Sequence, residues 1–231
     1  MEDHSFYGGA DPREMPLYAV SEAAHYIGLP PSTLRSWVLG RRYPVSDGWN
    51  ASDAIVRLPD QDDGRLSFNN LIEAFVVKGL RKKHGASMMA IRKAAAYAEK
   101  ELDVERLFLR DELCTNEGDL FWTQYSELIN LSRGGMIAMK QIVEAHLKRV
   151  ERDVRDLPLR LYPLIPSRPG ARTIVIDPSV SFGRPIVGSS GVSTAVVVQR
   201  IDAGEEIEDL ADDYGLSEDE IRDAVVYELA A

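Results

Sequence analysis

Residues 17–45, LYAVSEAAHYIGLPPSTLRSWVLGRRYPV, decide how the chain is read. Val20, Ala23, Ala24 and Ile27 recur at helical spacing. Ser21 is the expected N-cap of this first helix, and Gly28 stops it. After Pro30 and Pro31 a second short helix follows, with Leu34, Trp37 and Val38 as its apolar face and Gly40 at its end. Small Ala23 and Ala24 allow a close crossing, and Leu34 and Trp37 lock the pair, as a helix-turn-helix requires. The second helix then presents Ser32, Thr33, Arg35 and Ser36, short polar or basic groups suited to base edges and phosphates. Arg41, Arg42 and Tyr43 stand where a wing would begin. An ordinary helical hairpin with surface arginines gives the same pattern, so pattern alone leaves both readings open.

Outward from this segment, the fold class expected is α+β and mostly helical. Residues 1–16, with Gly8, Gly9, Pro12 and Pro16, read as a flexible arm. Residues 17–66 read as a winged helix-turn-helix, with a wing-like hairpin or loop over 41–66 that includes an alternating run at 54–58. Residues 67–155 read as a helical region. Ser67 caps a helix over 69–83, Ser87 caps one over 88–102, and a long helix covers 136–154. Between them, short β-rich runs in 104–132 predict a small antiparallel β meander. Residues 156–172 carry four prolines and predict an extended connector. Residues 173–231 open with a strand at 173–176. Helices follow at 194–203 and 207–214, and Ser217 to Glu220 form a capping box before a last helix reaching 229.

The charge is uneven. The 231 residues sum to −10, which argues against a nucleic-acid binder, because phosphate affinity comes from Lys and Arg. Residues 201–231, however, hold twelve acids and one base, so the first 200 residues are close to neutral. Within them, residues 78–100 carry seven bases and one acid. That run, including Lys82 and Lys83, is either a solvated helix face or a track for phosphates. The acidic segment keeps apolar faces, Ile207, Leu210, Ala211 and Tyr214, then Ile221, Ala224, Val225 and Leu229, so it reads as folded. Its charge either serves solubility or draws a basic partner.

Signals of catalysis are weak, and the chain reads as a non-enzyme without cofactor or metal. The four histidines lack metal-ligand spacing, and His146 falls among apolar positions as a core histidine does. The run from Asp60 to Gly64 reads as a turn, lacking the glutamate that closes a calcium loop. Residues 188–191 read as a glycine turn, with no Walker lysine after them. The lone Cys114 excludes an internal disulfide and suits a reducing compartment. No apolar run approaches the ~18 residues of a membrane span, and the N-terminus lacks signal-peptide features. The expectation is a cytoplasmic protein without a membrane partner.

Thr33-Leu34-Arg35-Ser36-Trp37 resembles the helix-turn-helix of MerR-like regulators, although Pro30 or Pro31 replaces the usual polar cap of the second helix. The whole chain resembles the VapB-like antitoxins of bacterial type II toxin–antitoxin systems that end in a small trihelical domain. Three stretches carry this: the helix-turn-helix, residues 66–74 running into 81–85, and residues 174–187 with Arg200 to Glu205 and Leu210 to Tyr214. The chain departs from the pattern at 191–194 and 214–216. The resemblance implies a protein that neutralises a cognate PIN-like ribonuclease toxin, represses its own operon by binding operator DNA, and forms a homodimer. For such a partner, the acidic charge of the C-terminal segment points to residues 173–231 as the part that holds the toxin, with residues 17–45 holding DNA. Glu205, Glu206, Asp209, Asp212 and Asp213 would meet the toxin's basic surface, and Arg184 would reach its acidic metal site or pair locally. A DNA-binding regulator that senses a ligand or protein through its C-terminal domain, with no toxin, is the alternative.

Overall fold

The computed structural model describes residues 9–45, 48–81, 87–110, 113, 118–129, 132–164 and 172–230. Among them, short antiparallel sheets alternate with nine α-helices. Helices α1 (Val20–Tyr26) and α2 (Pro31–Val38) lead into a two-stranded ribbon, β1 (Arg41–Val45) and β2 (Gly48–Ser52). Helices α3 (Phe68–Arg81), α4 (Met88–Leu102), α5 (Asp119–Leu128) and α6 (Arg133–Leu147) follow. A hairpin of β3 (Val150–Arg152) and β4 (Pro158–Leu161) comes next. The chain then forms a three-stranded sheet, β5 (Ile174–Val175), β6 (Ile186–Val187) and β7 (Val192–Ser193), and ends in α7 (Thr194–Asp202), α8 (Ile207–Tyr214) and α9 (Glu218–Ala230).

Two apolar cores result. The larger gathers α1 to α6 around α3, whose residues are buried on nearly every side, as a helix without a polar face must be. The smaller lies under β5, β6 and α7 to α9, with Val197, Leu210, Ile221, Ala224 and Tyr227 at its centre. They meet directly. Leu161 and Ile176 exchange backbone hydrogen bonds of 3.0 and 2.8 Å, and the Tyr227 hydroxyl donates to the Tyr26 carbonyl at 2.9 Å. Gly183, at φ +70°, lies against Tyr18 so closely that an added Cβ would sit 2.0 Å from the Tyr18 hydroxyl oxygen. The acidic segment therefore rests on α1.

Two expectations are corrected. The described residues of 104–132 contain no strand. They form a 3-10 turn at Leu107–Leu109 and then α5. Phe121, Trp122 and Tyr125 are aromatic, which reads as strand, but their spacing places all three on one buried helix face. Phe121 stacks on Tyr125 at 5.5 Å and meets Phe108 edge-on. The expected helix over 136–154 stops at Leu147. Val150, which continues its apolar stripe, belongs to β3, whose ladder with β4 extends to the Tyr162 N–H bonding the Arg149 carbonyl. Within 41–66, read as a wing-like hairpin or loop, the structure has a two-stranded ribbon. The ribbon spans 41–52, and Val56 and Leu58 of the run that follows are buried in the larger core.

Within the expected arm, Arg13 is 6% exposed. It bonds Asp11 and reaches Asp153 at 2.9 Å, while its carbonyl accepts the Asn69 N–H. Residues 11–14 are thus pinned to the core. Residues 158–161 are extended as expected, but as a strand rather than a free tether. The capping box is present: the Ser217 hydroxyl accepts the Glu220 N–H, and the Glu220 carboxylate accepts the Ser217 N–H at 2.9 Å.

Candidate functional site

Helix α2 needs no polar cap. Proline at its first position offers no N–H to satisfy, and the Pro30 carbonyl accepts from Thr33 and Leu34. For α1, the cap falls at Ala19 rather than Ser21, because the Glu22 carboxylate accepts the Ala19 N–H at 2.9 Å. Ala23 and Ala24 are fully buried beneath Leu34, Trp37 and Val38. This leaves the other face of α2 to solvent. Ser32 and Arg35 are exposed; Thr33 and Ser36 are half-buried, and the Ser36 hydroxyl donates to the Thr33 carbonyl at 2.7 Å.

The ribbon is fixed to the end of α2. The Ile55 and Val56 N–H groups both donate to the Trp37 carbonyl, at 2.8 and 3.2 Å. Gly40 makes the turn at φ +72°, where a Cβ would lie 2.4 Å from the Ser52 carbonyl oxygen. Arg41 pairs with Ser52, Arg42 with Ala51, Tyr43 with Asn50 and Pro44 with Trp49. Side chains alternate along a strand, so Arg41 and Tyr43 share one face of the ribbon, while Arg42 shares the other with Trp49. Arg41 and Arg42 are exposed and Tyr43 half-buried. Ser32, Thr33, Arg35, Ser36, Arg41, Arg42 and Tyr43 are thus gathered on one helix and the ribbon it carries.

The basic run is not a single face. Lys82 and Lys83 lie outside the described residues. Lys78 is spent on the fold, its ammonium donating to the Ile27 carbonyl at the turn between α1 and α2. Arg92 is half-buried on the wall of a cavity of about 190 Å³ with Asp53, Glu73 and Arg106, and burial pushes its pKa down. Arg81, Lys93 and Lys100 are exposed.

On the acidic segment, Leu210 and Ala211 turn α8 inward, so Glu206, Glu208, Asp209 and Asp212 face solvent. Glu205 and Asp213 stand differently. Both bond Arg200, which also stacks over Tyr214 at 5.1 Å and cancels part of their charge. Arg222 does the same for Glu218 and Asp219. Arg184 is exposed elsewhere. It lines a groove of about 530 Å³ between α1, α7 and α9, with Glu22, His25, Thr194 and Glu228, and none of the α8 acids lines it. The structure therefore does not bring Arg184 together with Glu206, Asp209 and Asp212.

Sequence reasoning passed over two features. His25 Nε2 lies 2.7 Å from the Glu228 carboxylate, joining α1 to α9 across 203 positions; no local signal marks such a pair. Trp49 is 72% exposed on the ribbon. A tryptophan between Gly48 and Asn50, in a polar turn-rich stretch, is the signal that points to it.

Residues 174–227 match the model of a protein of unknown function, DUF433, which covers β5 to α9. Over nearly its whole length the chain is similar to a Mycobacterium tuberculosis protein named "Putative antitoxin VapB45", at 29% identity across 92% of this chain and 93% of that one. It is similar also to the uncharacterized protein Rv2308 of that organism, at 28% identity over 91% of this chain and 89% of the relative. Among solved structures, the crystal structure of Rv2018 from Mycobacterium tuberculosis matches with a TM-score of 0.65 and 25% identity, covering 91% of this chain and 98% of that one.

Proposed function

We propose that the protein is an antitoxin that binds and neutralises a cognate PIN-like ribonuclease toxin and represses its own operon through DNA. One observation carries the reading: the similarity to a relative bearing the antitoxin name runs end to end, over 92% of this chain and 93% of that one. Two surfaces support the division of labour. The exposed face of α2 and its ribbon offer Ser32, Thr33, Arg35, Ser36, Arg41, Arg42 and Tyr43 to operator DNA, with Lys82 and Lys83 added from the basic run. A homodimer would present two such units to two half-sites.

The acids of α8, with Arg184 apart from them, are offered to the toxin. An enzyme that cleaves RNA presents a cationic surface to its substrate, and a negative field speeds encounter with such a surface. Because Arg200 holds Glu205 and Asp213, the attraction rests mainly on Glu206, Asp209 and Asp212. No catalytic group or cofactor enters this reading, and no helix of the described residues is long and apolar enough to cross a membrane.

The test is co-expression with the product of the adjacent gene. The reading expects the pair to co-purify, and expects this chain to relieve the growth arrest its neighbour causes alone. A neighbour that neither co-purifies nor harms growth would remove the toxin from the account.

A further inference from the structure

Trp49 is 72% exposed, whereas Trp37 and Trp122 are each 1% exposed. A large aromatic ring left in water on a protruding ribbon needs a partner to account for it. Its surroundings say which kind. Arg42 shares its face of the ribbon and Arg41 stands at the base, and neither strand holds an acid. The ribbon is also aimed, since Gly40 and the two bonds to the Trp37 carbonyl set its base against α2.

The reach fits. Trp49 pairs with Pro44, three residues beyond Arg41, a span of about 10 Å at ~3.3 Å per residue. The major groove of duplex DNA is about 12 Å wide. With α2 in the groove, a ring carried that far along the ribbon has the reach to meet the flanking backbone.

We infer that Trp49 is a DNA-contacting residue, its ring packing on the sugar edge of the minor groove beside the half-site while Arg41 and Arg42 hold the phosphates. This rests on the DNA-binding reading above and assigns to it a contact outside α2. Apolar side chains that enter a minor groove act on shape rather than on base edges, so Trp49 adds affinity with little sequence preference.

The wild-type protein carries its own probe, because a collisional quencher such as acrylamide reaches the emission of Trp49 and not that of two buried tryptophans. With duplex DNA from upstream of its own gene, the quenchable fraction falls. Trp49→Ala weakens the mobility shift about tenfold, within the range of aromatic contacts to nucleic acid, while Trp49→Phe keeps most of the affinity. Since the ring packs on little, both variants keep the wild-type melting temperature. Binding of the duplex with Trp49 still fully quenchable, or with undiminished affinity in Trp49→Ala, overturns the inference and leaves DNA binding standing. Protection by the neighbouring gene's product, by raised protein concentration, or by single-stranded RNA in place of duplex also overturns it. No shift of any duplex by the wild-type protein removes the DNA reading itself.

Discussion

Glu73 is 3% exposed on α3, and burial pushes its carboxyl up, against the pull of Arg106 and Asn70. Arg106 holds it with two bonds, of 3.1 and 2.9 Å, and ties it to Glu14 at the surface. Removing one partner of a buried pair leaves a charge without compensation, at about 3–5 kcal/mol. Arg106→Met is therefore expected to lower stability by about that amount at pH 7. Part of the loss returns as pH falls, because a carboxyl with its pKa raised in the folded state takes up a proton there first. Urea midpoints of the variant at pH 5 and 7 check this; equal losses at both would contradict it.

Asp153 has the opposite sign. Burial pushes its carboxyl up, but the Leu157 N–H, Arg13 and the Arg155 N–H outweigh burial and hold it at about 2. A depressed pKa gives stability that is complete above the ordinary carboxylate value of about 3.9 and is lost as pH falls toward 2. Asp153→Asn should flatten the fall in stability between about pH 4 and 2, as read by denaturant titrations across that window. At Tyr125 the hydroxyl is buried with no partner among the described residues, so Tyr125→Phe is expected to be neutral or to stabilise by up to about 1 kcal/mol in the same assay.

At the scale of elements, local rules settled the ends of the chain better than its middle. The spacing of Ala23, Ala24, Leu34 and Trp37 reads as two crossing helices, and they are there. Ser217 and Glu220 announce α9 because a capping box lies within four residues of sequence. The middle turned on tertiary competition. Aromatic residues suit strand or helix, and only the packing of Phe121, Trp122 and Tyr125 against Phe108 selects α5. Val150 fits the stripe of α6 as well as it fits β3, and pairing with a strand eleven residues away decides it.

The pinning of Arg13 by Asp153 was invisible for the same reason, being a contact across 140 positions. For the candidate site, the face of α2 was legible from periodicity. The ribbon's start near Arg41 was legible too, but its limits were not, since Val56 and Leu58 imitate a strand's alternation beyond its end. Gly40→Ala is the prediction that belongs here. With φ at +72° and a carbonyl oxygen 2.4 Å from the new Cβ, it should destabilise by roughly 1–3 kcal/mol and weaken DNA binding by tilting the ribbon. Calorimetry beside a mobility shift separates the two effects; a wild-type melting temperature would contradict the geometry.

The whole molecule changes the meaning of its net charge of −10. The surplus acid lies in the last 31 residues, yet those residues are not a remote end. α9 bonds α1 through Tyr227 and His25, and α1 carries the helix that faces DNA in this account. Two arginines, Arg200 and Arg222, pair with four of the acids and offset about half of their charge. Replacing Glu206, Asp209 and Asp212 together by their amides should slow association with the toxin roughly tenfold or more at low salt, less at high salt, and leave the affinity for DNA unchanged. Stopped-flow mixing at two ionic strengths reads this directly.

The central claim, one chain that holds both operator DNA and a nuclease, meets its most direct test in a single gel. The purified protein is titrated onto duplex DNA from upstream of its own gene, alone and as the complex with the adjacent gene's product. The account predicts a retarded band in the first lane set, a further retarded band containing both proteins in the second, and loss of both in the Arg35→Ala, Arg41→Ala variant, which still co-purifies with its partner. A protein that leaves its own upstream DNA unshifted and passes its neighbour without binding would contradict the claim.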